Sequence, residues 1–174
     1  MSKLISVFRK MPSGSRYWLV LLSSAVLLMF AALYFQYILE ELPCLMCIQV
    51  RIWLVLLIFV SIFGLLTHTQ RWPNLVAQAG VLVIAGGLAE RSYMLLGTER
   101  GFVFSDCGFD LGLPEWLAID VWFPRLFQVE TTCGYTPEII FGITMAESLM
   151  VLSVLMCTIC GLAFLASLLP VKDQ

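Results

Sequence analysis

The chain has 174 residues, 60% of them hydrophobic and only 13% charged, too apolar a mixture for an ordinary water-soluble domain. The formal net charge is −2, and the basic surface that nucleic-acid binding needs is missing. The length suits one domain, 1–174, and the solvent it must satisfy is lipid.

A membrane span needs about 20 mostly apolar residues to cross about 30 Å of hydrocarbon. Four stretches meet that length: 17–39, 45–67, 73–96 and 141–169. Backbone groups in lipid must bond internally, so helix is the expected form. The fold class expected is an all-α membrane protein, a four-transmembrane-helix bundle. The first stretch follows a basic tail with Lys3, Arg9, Lys10 and Arg16, as a signal peptide would. Its apolar run is too long for one and no small-residue cleavage site follows, so it is expected to be a retained span.

The first connection carries Glu40 and Glu41, and a Pro-Cys-Leu-Met-Cys run opens the second span. Pro43 suits the first turn of a helix, which places Cys44 and Cys47 near the positive end of the helix dipole, where a thiolate is stabilised. Arg51 follows Cys47 by four residues and Cys44 by seven, so at 3.6 residues per turn the three share a face. Alone, Arg51 reads as an interfacial anchor that snorkels. Beside two thiols, a permanent cation at the mouth of an apolar helix points to redox chemistry. A zinc site would need further Cys or His ligands, and the single histidine, His68, falls at the far end of the same span. No metal site is expected.

The third span contains the neighbours Glu90 and Arg91, which point about 100° apart on a helix and need not pair. The long connection 98–138 is acidic and carries Cys107 and Cys133, each followed by glycine. Its aromatic-rich segment 114–127 is expected to hold a short helix lying on the membrane surface. The fourth span contains Glu147 near its start and a second Cys-x-x-Cys, Cys157 and Cys160. Thiols so placed among Met, Leu and Ile act as small hydrophobes.

Basic residues concentrate in the N-terminal tail, the second connection (Arg71) and the C-terminal tail (Lys172). Both termini are therefore expected to be cytoplasmic, with the first and third connections outside. Four cysteines then fall on the side where disulfides persist, and location suggests pairing 44 with 47 and 107 with 133. Taken alone, the 107/133 pair reads as a structural staple for the long connection.

The chain resembles the DsbB family of bacterial inner-membrane proteins. The residues that carry the resemblance are Ala-Leu-Tyr-Phe-Gln at 32–36, Pro-Cys-Leu-Met-Cys-Ile with Arg51, and the run from Cys107 through Pro-Glu-Trp-Leu and Asp-Val-Trp-Phe-Pro to Cys133. It covers nearly the whole chain. Val50 stands where the family commonly carries Glu or Gln.

The resemblance implies a quinone-dependent thiol oxidase whose catalytic cysteines are Cys44, Cys47, Cys107 and Cys133. Cys107 would form the mixed disulfide with a periplasmic DsbA-like thioredoxin-fold partner. Electrons would pass to Cys44 and Cys47 and then to a ubiquinone or menaquinone held near Arg51. Negative charge would rest on Cys47, steadied by Arg51 and the helix N-terminus. The implied setting is a monomer in the inner membrane, drawing on the membrane quinone pool, with redox cysteines facing the periplasm.

Two other readings compete. Vitamin K epoxide reductase-like proteins combine similar parts, but their Cys-x-x-Cys follows the loop pair instead of preceding it. A non-enzymatic scaffold or metal-binding protein would keep only the structural loop disulfide.

Overall fold

The structure, a computed structural model, describes residues 14–103, 108, 111–112, 118–134, 136–140 and 142–168. Four long helices dominate it: α1 (Ser15–Tyr37), α2 (Leu45–Thr67), α3 (Arg71–Arg100) and α6 (Met145–Leu168). All four are long and apolar enough to cross a membrane. Two one-turn helices, α4 (Ile119–Trp122) and α5 (Pro124–Phe127), lie in the long connection. A small antiparallel ribbon, β1 (Glu138–Ile140) with β2 (Ile143–Thr144), precedes α6.

Packing runs α1 on α2, α2 on α3 and α3 on α6. The core is made where the apolar stripes meet: Trp18, Leu21 and Ala25 from α1, Leu54 and Leu57 from α2, Val81 and Ile84 from α3, and Cys160 from α6. The outward faces are just as apolar. Leu27 and Phe30 on α1, Phe59 and Leu66 on α2, Val76 and Val83 on α3, and Leu162 and Leu165 on α6 are all exposed. Helices hydrophobic on every side belong in lipid, so this is a membrane protein.

Small residues let the bulky ones in. The Trp18 ring lies over Gly64 of α2, and Trp53 lies over Gly87 of α3, where an added Cβ would stand 2.5 Å from the indole. Trp18 is fully buried and its Nε1 donates to Asn74 Oδ1 at 3.1 Å, tying the start of α1 to the start of α3.

Two boundaries depart by several residues from the spans expected from composition. The third helix runs to Arg100; its 30 residues reach about 45 Å at ~1.5 Å per residue, so it overshoots the hydrocarbon. It stops at Gly101, whose φ of 74° lies in the left-handed region. The fourth span starts at Met145 because the apolar residues before it pair as a ribbon, with Gly142 at φ 78° in its turn. This ribbon is an addition to the all-α expectation. Pro43 sits just before the N-cap of α2 and not inside its first turn.

Within the segment expected to lie on the membrane surface, residues 114–117 fall outside the described residues. The rest forms α4 and α5, with Val121, Trp122 and Phe123 exposed and Phe127 buried against the bundle. Residues 1–13 of the basic tail are likewise outside the described residues, while Arg16 lies in the first turn of α1.

Candidate active site

The site is built where α2 begins. Cys44 is the N-cap of the helix, extended at φ −83° and ψ 167°, and its sulfur accepts from the Cys47 backbone N–H at 3.3 Å. A sulfur here does the work usually given to a Ser or Asp oxygen. The Cys47 sulfur lies 2.7 Å from that of Cys44, and both thiols are free. Cys44 is buried and Cys47 half-buried.

These contacts set the acidity. The Cys47 thiol donating to Cys44 lowers the Cys44 pKa to about 7 against the opposing effect of burial, and the N–H groups of Cys47, Met46 and Cys44 itself add to the lowering. The backbone N–H donors of the first turn therefore converge on Cys44. The reason is positional. An N-cap side chain faces the free N–H groups of the first turn, and a residue three positions later does not.

The long connection returns to this point. The Pro43 carbonyl accepts from Glu130 N at 3.0 Å and Thr131 N at 3.4 Å, and Cys44 forms a parallel bridge with Thr131. That pairing lays Cys133 against the Cys44–Met46–Leu95–Ala146 cluster and against the neighbouring Leu45–Ile48–Phe127 cluster. Cys133 is disulfide-bonded. Cys107, the partner that location suggests for it, lies outside the described residues.

Arg51 is buried, 4% exposed, one turn below Cys47. One terminal nitrogen donates to Gln36 Oε1 at 2.6 Å and to the Leu126 carbonyl at 3.0 Å; the other donates to the Ala32 carbonyl at 3.3 Å. All three acceptors are neutral, and among the described residues no carboxylate is in ion-pair contact with it. Its Nε has no hydrogen-bond partner among the described residues. A groove between α1 and α6 opens over this region. Leu28, Ala31, Phe35, Leu149 and Leu152 form its walls, and Gln36, Cys44, Cys47 and Arg51 its polar floor. Glu41 stands at the rim.

The sequence thus foresaw Cys44, Cys47 and Arg51 on one face, and the fold brings Cys133 to them. It gave no role to Gln36, which closes the Ala-Leu-Tyr-Phe-Gln run of the resemblance and is otherwise an amide in the last turns of an apolar span. Cys157 and Cys160 stand apart, about 20 Å along α6 from its start at ~1.5 Å per residue. Cys160 is buried in the core and accepts from Tyr17 Oη at 3.7 Å. Glu90 and Arg91 do make an ion contact at 3.8 Å, because both side chains are long enough to bend together, and Arg91 also donates to Gln49 Oε1 at 3.2 Å.

Glu147 belongs to the architecture. Its Oε2 accepts from Thr144 N at 3.2 Å while its own N–H donates to Thr144 Oγ1 at 3.3 Å, a reciprocal helix cap. Its other oxygen pairs with Arg100. Glu99 takes hydrogen bonds from Thr136 and Thr144 at 2.8 and 3.2 Å, so the segment after Cys133 is fastened to the end of α3.

The profile of the family described as disulfide bond formation protein DsbB matches residues 14–163. Disulfide bond formation protein B of Shewanella frigidimarina is 32% identical over 154 residues, covering 88% of this chain and 89% of the relative. The protein of that name from Pasteurella multocida is 29% identical over 176 residues, covering 98% and 97%. That from Shewanella sp. strain MR-4 is 29% identical over 148 residues, covering 84% and 85%.

Proposed function

The chain belongs to the DsbB family, and on that premise we propose that it is a thiol oxidase passing electrons from a periplasmic DsbA-like dithiol, through two cysteine pairs, to a membrane quinone. It acts as a single domain and monomer in the bacterial inner membrane. Both termini are cytoplasmic and the cysteine end of the bundle is periplasmic. The observation that carries the reading is the bridge between Cys44 and Thr131, which lays the Cys133 segment on the Cys-x-x-Cys segment at the head of an apolar groove.

The relay runs by thiolate attack on disulfide sulfur. A donor thiolate attacks Cys107, breaking the Cys107–Cys133 bond and releasing Cys133 as thiolate. The donor's second thiolate closes the donor disulfide and releases Cys107. Cys133 then attacks Cys44 of a Cys44–Cys47 disulfide and expels the Cys47 thiolate. Cys107 attacks Cys133, restores the loop disulfide and expels Cys44. The low pKa of Cys44 makes it a good leaving group in that last exchange. The two electrons now rest in the Cys44/Cys47 dithiol.

The groove fits a quinone: its walls are apolar, and its floor carries a buried guanidinium with an unpartnered Nε. When bound, the quinone takes two electrons and two protons and leaves as quinol. The chain's own part is to close the Cys44–Cys47 disulfide, keep water out with Phe35, Leu149 and Leu152, and hold negative charge near Arg51. The test is quinone reduction by the detergent-purified protein supplied with a reduced DsbA-like donor. Turnover that vanishes in both Cys44→Ala and Cys107→Ala supports the relay. Absence of turnover in folded wild-type protein with any quinone overturns it.

A further inference from the structure

Gln36 is the amide on which Arg51 leans, at 2.6 Å. Charge-assisted contacts of that length are strong, and this one fixes the guanidinium against α1. The choice of amide matters because Glu has nearly the same shape. With a carboxylate at 36 the cation would be neutralised; with an amide, the positive charge stays uncancelled in a low-dielectric groove. The Arg51 donors also settle which way the amide lies, since only its oxygen can accept from them. Its NH2 end, two N–H donors, makes no hydrogen bond among the described residues, and Gln36 lines the groove beside Cys47.

We propose that Gln36 is a recognition and positioning residue of the groove: its oxygen holds Arg51 as an uncancelled cation, and its amide N–H donors bind a carbonyl oxygen of the quinone. The substrate half of this rests on the function proposed above; the hold on Arg51 does not. Besides Cys44 and Cys47 themselves, the titratable groups facing the pair are few. Glu41 lines the groove, and Tyr37 and Glu130 act on Arg51 beyond ion-pair distance. The α6 side contributes Met145, Ser148, Leu149 and Leu152, none of which titrates.

The experiment compares Gln36→Glu and Gln36→Met with wild type in two assays on the full chain. The first follows reduction of a short-tailed benzoquinone by a reduced DsbA-like donor. The second measures alkylation of the reduced Cys44/Cys47 pair against pH and needs no quinone. Gln36→Glu is expected to keep or raise thermal stability, to lower kcat/KM for quinone by about a hundredfold, as for loss of a charge-stabilising donor, and to move the alkylation midpoint to higher pH. Gln36→Met should raise KM for quinone more than it lowers kcat, because it removes the amide donors and leaves the cation. Wild-type kinetics and an unmoved alkylation midpoint in folded Gln36→Glu protein would overturn the proposal. If wild type itself reduces no quinone, the oxidase reading and the proposed quinone contact fall together. The alkylation arm still decides whether Gln36 governs the charge of Arg51.

Discussion

The acidity of Cys44 is the property most directly open to measurement. An ordinary cysteine thiol titrates near 9, and the Cys47 thiol, helped by the first-turn N–H groups, lowers Cys44 to about 7. At pH 7 that is the difference between about half and about 1% thiolate, a factor of about fifty in reactive species. A less basic thiolate is also a weaker nucleophile; with a Brønsted slope of about 0.4–0.5, two pKa units cost about eightfold, leaving a net gain of about sixfold.

Reduced protein should therefore alkylate at Cys44 with a midpoint near pH 7 and a plateau above it, read by mass spectrometry with fragmentation to separate Cys44 from Cys47. Cys47→Ala removes the largest cause of the depression and should move the midpoint toward 9. The linkage has a definite sign. The folded pKa lies below the unfolded one, so the dithiol form has its extra stability in full above pH 9 and loses it as pH falls through about 7. A wild-type midpoint at 9 or above, or one that Cys47→Ala leaves in place, would refute the assignment of the thiolate to the helix cap and the Cys47 thiol.

Gly64→Ala should destabilise the bundle by about 1–3 kcal/mol in thermal unfolding, because the new methyl would run into the ring of fully buried Trp18; an unchanged melting temperature would mean α1 can slide aside. Thr144→Ala should cost about 1–2 kcal/mol through the lost α6 cap, and unchanged unfolding would show that the cap carries no stability. Double replacement of Cys157 and Cys160 by Ala should leave donor-to-quinone turnover unchanged, since neither lines the groove, Cys160 lying in the core and Cys157 being half-buried; a large loss per folded molecule would give the pair a redox role.

Much of this protein was legible before its fold. Four apolar runs of span length can only be helices in lipid, since backbone groups there have no other partner. Cys44, Cys47 and Arg51 stand at spacings of three and four, and such local periodicity survives into the structure because a helix is a local object. The resemblance, too, rests on linear runs of residues.

What the sequence could not settle involves contacts between distant segments. That Glu147 caps a helix depended on where α6 begins, and an apolar count cannot see that Ile140 and Ile143 pair across two strands. The partner of Arg51 is an amide fifteen residues earlier, on another helix, and the helix packing chose it. Thr131 meets Cys44 across nearly ninety residues of chain by a backbone bridge that leaves no signature in side-chain type. Composition and local spacing determined the helices and the reactive groups. Tertiary packing decided which groups share one dry groove, because only close approach in a low-dielectric interior lets a cap, an amide and a cation set the chemistry of a thiol.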